Sequence, residues 1–554
     1  MSQPSSAAHN LWVLVVIGLL VAPLVGLQFE ALSATTATSG YGAMITPRAW
    51  SVILTTVLLT LGSALFAIVL GVCLAICMAR LPPRLRALAV LPLLPIAVPP
   101  VAAVVGWVFM LTPNIGYLNG VLRMLPMFSD ATSGPLNVYS LSAIVFITGL
   151  ALVPFVVVYV SAALRQMDPT LLEAAKVFGA SSAKTYARVV IPLLRPAIVY
   201  AAVAVSLLGL GQFTAPLLLG MQKGVHVLTT EMYIAASAAP PDFATASAWA
   251  SPLVILGFIM IALQSRNLAE KRKFVVASAR GFGAGFKPTP IAALPIVAYF
   301  AVAVLLPVAG LLIVALSPFW SATIPWAMLS LAGVRETLMH PDSLASIKTT
   351  LLVSLSATAV ATVIGYAIAA TLIMGRNTSV LMRRTLDVVA NLPLTIPSIV
   401  FGVGILLMYA GPPFRLYGTY AIFVLAYVTL ILPHVVRVHS AGLISLGGTM
   451  VEAARVCGAS DMKVHQRILL PLLRRQLGGG AAICLAILSH EFGASVLVRS
   501  TGTQVMGTRL YDLYNTGLYP AVAAMALIMT VVTAALIFAV VAFAGSAVLE
   551  GESA

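Results

Sequence analysis

Apolar residues run along this chain in long stretches, and polar residues are confined to short segments between them. A helix needs about 20 apolar residues to cross a hydrocarbon core of ~30 Å, because unpaired backbone groups are not tolerated in lipid. Twelve stretches meet or approach that length. In the first half they cover residues 11–29, 52–79, 88–111, 140–163, 192–219 and 248–263. In the second half they cover 291–316, 346–374, 386–409, 417–436, 477–498 and 521–543. The pattern predicts an all-α membrane protein with 12 transmembrane helices. The first stretch has no Lys or Arg before it and exceeds a signal-peptide core, so it reads as a retained span.

Charge supports that reading. Only 8% of the 554 residues are charged, against roughly 25% in a soluble globular protein, which argues against an ordinary soluble enzyme. The excess of 31 Lys and Arg over 16 Asp and Glu is too sparse for a nucleic-acid-binding face. With twelve spans, 23 of the 31 cations fall in even-numbered loops, which share one side with both termini. The positive-inside rule assigns that side to the cytoplasm, so both termini are expected there. Four cysteines make no disulfide framework, and Cys73 and Cys77 read as small apolar filler on one helical face.

The chain also repeats itself. Leu171–Arg195 and Met450–Arg474 share 13 identities in 25 positions at an offset of 279 residues, which also pairs Pro154 with Pro433 and Phe213 with Phe492. Pro95, Pro99 and Gly106 pair with Pro393, Pro397 and Gly404 at an offset of 298. The length difference falls in the third loop of each half. The prolines predict kinked third spans, as a packing device rather than a cargo site. The expected organisation is an N-terminal segment and first span (1–47), a first six-helix unit (48–266) and a cytoplasmic linker (267–290). A seventh span with its outer loop (291–343), a second unit (344–543) and a tail (544–554) follow. The two units run parallel.

In the fourth loop of each half, Thr170-Leu-Leu-Glu173 and Thr449-Met-Val-Glu452 fit a capping box that opens a short helix. Leu171, Leu172, Ala175 and Phe178, and Met450, Val451, Ala454 and Cys457, recur at helical spacing. Gly179 and Gly458 then permit a sharp turn. An apolar face in a cytoplasmic loop needs a partner, and helix-in-groove docking supplies one. These segments, Glu-Ala-Ala, three residues, then Gly, resemble the EAA motif of ATP-binding-cassette importer permeases of the type I, MetI-like fold. Two copies in one chain resemble a fused permease. The resemblance implies that Glu173, Ala174, Ala175 and Gly179, and Glu452, Ala453, Ala454 and Gly458, contact two copies of a nucleotide-binding ATPase, a homodimer.

The chain is not expected to be an enzyme. A P-loop needs Gly-Lys, and that dipeptide is absent from the sequence. No catalytic or metal residues and no bound cofactor are expected; ATP and Mg would sit on the partner ATPase. The remaining candidates are intramembrane polar residues. Gln212-Phe213 and His490-Glu491-Phe492 occupy matching positions in the fifth spans and read either as a paired feature facing the pore or gate, or as polar glue between helices. His490 and Glu491 as metal ligands are disfavoured, since adjacent helical side chains diverge by ~100°.

The segments GQFTAPLLLG, VLTTEMY and EFGASVLVRSTGTQVMGTRLYDLY resemble the ferric-iron branch of these importers most, with thiamine, 2-aminoethylphosphonate and polyamine carriers as relatives. That implies the bacterial inner membrane, a periplasmic or lipid-anchored binding protein as partner, and no nucleic acid. The competing class is a secondary transporter of the major facilitator type. Its Gly-x-x-x-Asp-Arg signature is missing from ARLPPRLRA between the second and third spans.

Overall fold

The computed structural model describes residues 6–34, 39–128, 133–270, 286–375, 378–447 and 449–549. Most of the expected linker, 271–285, therefore lies outside the described residues, as does the end of the tail. Among the described residues nine helices are long and apolar enough to cross a membrane. Two bent pairs raise this to 11, and Phe243–Ile259 supplies the apolar stretch of the sixth predicted span.

The first half contains α1 (Ser6–Leu32), α2 (Pro47–Ala79), α3 (Pro100–Leu111), α4 (Leu141–Gln166), α5 (Thr170–Val177), α6 (Ile191–Leu210), α7 (Leu228–Ala236) and α8 (Phe243–Glu270). The second half contains α9 (Leu306–Leu316), α10 (Pro341–Met374), α11 (Val380–Asn391), α12 (Ser398–Tyr409), α13 (Tyr420–Leu446), α14 (Thr449–Val456), α15 (Leu470–Leu488), α16 (Met506–Asn515) and α17 (Tyr519–Leu549). Local chemistry sets the starts. Thr46 accepts a hydrogen bond from the Ala49 amide and Pro47 opens α2, while Ser140 and Ser379 cap α4 and α11 in the same way. Both α6 and α15 are entered through a π-helical turn, Tyr186–Val190 and His465–Leu469, at equivalent repeat positions.

One expectation is met and one needs correction. The third and ninth predicted spans are kinked, as their prolines predict. A 3-10 segment, Pro83–Ala97, meets α3 at 95°, and the α11 segment, which runs on to Leu394, meets α12 at 110°. Pro99 and Pro397 sit at the bends, where a missing N–H and a fixed φ break the helix. The fifth and eleventh spans, by contrast, end early: α6 stops at Leu210 and α15 at Leu488. The apolar runs continue, but as short helices beyond a break.

The halves interlock through their first spans. α1 packs on α12 of the second half, and α9 packs on α3 of the first. The crossings are close. A Cβ on Gly404 would lie 2.7 Å from the Pro23 carbonyl oxygen, and one on Gly106 would overlap that of Pro307. Small residues let backbones approach where lipid offers no hydrophobic drive for association. Within each half, α2 packs along α4, and α10 along α13. One continuous apolar core runs through both halves.

Candidate functional site

Two sites emerge from the repeat, a pair of short helices in the cation-rich loops and a cluster of rings between the halves. In α5, Leu172 is buried and Ala175 half-buried, whereas Leu171, Val177 and Phe178 are exposed, Phe178 by 88%. In α14, Val451 is buried and Ala454 half-buried, whereas Met450, Val456 and Cys457 are exposed, Val456 by 89%. The apolar residues therefore divide. One row anchors each helix to its own half, and another faces outward. Glu173, Ala174, Glu452 and Ala453 are exposed beside that outward row.

The helix ends are built alike. Gly179 and Gly458 have φ of +73° and +81°, with open space where a Cβ would point. Their requirement is thus the backbone conformation and not packing. The Ala180 amide reaches the Ala175 carbonyl at 3.0 Å, and the Ala459 amide reaches Ala454 at 3.0 Å, which closes each helix in a Schellman turn. The start departs from the expected capping box. Thr170 and Thr449 are the first helical residues, and the Asp168 carboxylate, two positions earlier, accepts the Thr170 amide at 2.9 Å. The second copy alone carries an Arg455–Asp461 pair, with Nε and Nη2 at 3.0 and 2.9 Å from one carboxylate oxygen.

The ring cluster forms where α6 and α15 break. Phe213 and Phe492 are both buried and stack across the interface of the halves, with centroids 5.7 Å apart and planes at 24°. Each backbone carbonyl accepts the amide four residues on, Leu217 at 2.9 Å and Val496 at 3.0 Å, so the two breaks share this backbone bond, although a π-helical turn follows the first and an α-helical one the second. Tyr233 of α7 lies 5.7 Å from Phe213, Tyr511 of α16 lies 5.8 Å from Phe492, and the two tyrosines meet edge-on at 6.2 Å. Four rings thereby close a plug, two from each half. The tyrosines were not singled out in the sequence, although Val227-x-x-Thr-x-x-Tyr233 and Val505-x-x-Thr-x-x-Tyr511 share their spacing.

The polar neighbours of the phenylalanines do different work. Gln212 offers its backbone carbonyl to Thr229 Oγ1 at 2.6 Å. Glu491 caps the short helix Ser495–Val498: its carboxylate accepts the Ala494 and Ser495 amides at 2.9 and 3.1 Å and the Ser495 hydroxyl at 2.6 Å. That is a structural use within one segment. It has no exact counterpart in the first half, where Pro216 stands at the position of Ser495 and lacks an N–H. His490 has a buried Nδ1 with no hydrogen-bond partner among the described residues. His490 and Glu491 lie beyond the end of α15 rather than on a helix, so the helical-divergence argument against a metal site does not apply to them.

Both α7 and α16 are tied to the second span of their own half. The Leu228 amide donates to Thr56 Oγ1 at 3.0 Å, and the Met506 amide to Thr350 Oγ1 at 2.8 Å. An ion pair follows in each. Arg48 at the start of α2 reaches Glu231 of α7 at 2.9 Å, with His226 also 3.1 Å away. In the second half Asp342 at the start of α10 meets Arg509 of α16 at 3.4 Å. The polarity is reversed.

Comparison with known proteins places this architecture. The family model for the binding-protein-dependent transport system inner membrane component matches residues 71–274 and again 361–546. The ferric transport system permease protein FbpB of Actinobacillus pleuropneumoniae is 24% identical over 452 residues, covering 80% of this chain and 64% of that protein. The chain thus spans slightly less than two thirds of that relative. A putative 2-aminoethylphosphonate transport system permease protein, PhnV of Salmonella typhi, is 26% identical over 234 residues, 42% of this chain and 87% of that one. A chain from inward-facing conformations of the MetNI methionine ABC transporter gives a TM-score of 0.32 at 19% identity, covering 37% of this chain and 94% of that one.

Proposed function

The chain belongs to the family of binding-protein-dependent transport system inner membrane components, and from that premise we propose that it forms both halves of the translocation path of an ATP-driven importer. This membership answers the secondary-transporter alternative. The observation that carries the reading is the twin helices α5 and α14, each anchored by one buried residue, ended by a positive-φ glycine and presenting an unpartnered apolar row. They act as coupling helices, one for each subunit of an ATPase homodimer that binds ATP and Mg. Burying Phe178 or Val456 in a cleft contributes about 1.5–3 kcal/mol each. Glu173, Ala174 and Ala175, with Glu452, Ala453 and Ala454, line the contact, and Gly179 and Gly458 set its angle.

ATP-driven closure of the ATPase draws α5 and α14 together. The halves then rock as rigid bodies about the central path. Phe213, Phe492, Tyr233 and Tyr511 form the gate that this motion opens, and Gln212, His490 and Glu491 support its hinges. The chain carries out no chemistry itself. It lies in the bacterial cytoplasmic membrane with both termini and the coupling helices inside, and receives cargo from a periplasmic or lipid-anchored binding protein.

Ferric iron is the cargo we favour, on the strength of the ferric permease relatives; 2-aminoethylphosphonate, thiamine and polyamines are the alternatives. Two experiments test the scheme. Phe178→Asp with Val456→Asp should abolish co-purification of the ATPase and uptake while leaving the permease folded; retained uptake refutes the coupling assignment. A thermal-shift screen of the cognate binding protein should select ferric iron over the other cargoes, and stabilisation by one of those alone would replace iron.

A further inference from the structure

A cavity of about 790 Å³ opens in the second half between α11, the end of α10 and α13. Its polar wall carries Arg383 and Arg384 of α11 and Arg437 of α13. One anion faces them. Asp387 is held by Asn391 Nδ2 at 3.1 Å, and Asn391 Oδ1 in turn accepts Arg437 Nε at 3.2 Å. Three guanidiniums against one carboxylate leave the cavity net positive, and Arg383 and Arg384 make no ion pair among the described residues. The rest of the lining is largely apolar: Ile373, Val380 and Ile444 border the arginines and are substantially exposed.

We propose that this cavity binds the headgroup of an anionic phospholipid, with the phosphodiester on the arginines and an acyl chain along Ile373, Val380 and Ile444. Charge and shape both select that occupant. A soluble anion has no use for the apolar wall, and a neutral lipid leaves the arginines unanswered. The 110° bend between the α11 segment and α12 turns α11 away from the span direction. Its Leu386, Val389 and Ala390 are buried on one side and its arginines lie on another, the pattern of a helix at the membrane surface. Cationic pockets between spans on the cation-rich side of a membrane protein hold such headgroups.

The site is peculiar to one half. At the matching repeat positions the first half keeps Arg86 for Arg384 but has Leu85 for Arg383, Leu93 for Asn391 and Val158 for Arg437, and its bend is preceded by the 3-10 segment instead of an α-helix.

Native mass spectrometry of the delipidated full-length permease, with phosphatidylglycerol or phosphatidylcholine added back, tests the proposal. Phosphatidylglycerol should be retained preferentially. Arg383→Gln, Arg384→Gln and Arg437→Gln should each lower its retention about fivefold, and the corresponding Lys variants should keep most of it. Equal retention of the two lipids, or undiminished retention by the triple Gln variant, overturns the site. So does complete displacement by millimolar inorganic phosphate, which would make the ligand a free anion. Displacement by the ATPase subunit would make the cavity a protein interface and likewise end the proposal.

Discussion

The two halves of this molecule share a skeleton and differ in how charge is distributed over it. Breaks, π-helical turns, positive-φ glycines and the stacked phenylalanines recur at matching positions, because each is a backbone or packing device with few chemical substitutes. The polar partners have drifted. Arg48–Glu231 becomes Asp342–Arg509, so complementarity is kept while sign is not. Gln212 becomes Glu491 and acquires a helix to cap. The α5 turn closes without the Arg455–Asp461 pair that braces α14. Geometry is the repeated quantity, and electrostatics has only to satisfy it locally.

The harshest test of this likeness is to disable one of α5 and α14, the proposed coupling helices, at a time. Phe178→Asp alone and Val456→Asp alone should each reduce uptake at least tenfold, measured in reconstituted vesicles; a large difference between them would show that the halves are not equivalent levers. Next comes the proposed gate. Phe213→Ala or Phe492→Ala removes a stacked pair worth ~0.5–1.5 kcal/mol beyond burial. Either should raise ATP hydrolysis without binding protein by up to about tenfold, and the two variants should match.

The inverted ion pairs make a finer comparison. Arg48→Glu should cost about 1–3 kcal/mol, because it leaves the buried Glu231 carboxylate facing another anion. The double variant Arg48→Glu, Glu231→Arg, which copies the polarity of the second half, should recover most of that loss in thermal unfolding. Asp342→Ala should cost less, about 0–1 kcal/mol, since it removes the partner of Arg509 without setting a like charge against it. Smallest of all, Asp461→Asn should change stability by less than about 1 kcal/mol, as expected for an exposed pair, and leave α5 and α14 more alike in hydrogen exchange.

Much of this was legible beforehand. The twelve runs all correspond to helical segments, and the pairing of Phe213 with Phe492 by repeat offset foretold two residues that meet in space. The misreadings share one cause. Prolines announced the bends within 88–111 and 386–409, but hydropathy registers that residues 192–219 and 477–498 are apolar and not that the backbone turns within them, since a broken run and a straight one bury similar side chains. Tyr233 and Tyr511 escaped notice because they sit in short helices after the breaks, where no long run draws attention. Thr170 fits a capping box, yet Asp168 lies two positions earlier with a better acceptor for the same amide.

Sequence alone determined the class of this protein, its duplication and the position of its twin loop helices, because run length, repeat offset and glycine turns depend on residues close together in the chain. Folding decided the rest: the exchange of α1 and α9 between halves, the closure of four rings into one plug, the capping use of Glu491 and the cavity lined by arginines from α11 and α13. Each of these joins groups separated by a turn or by whole spans, and a linear pattern carries no distance between them.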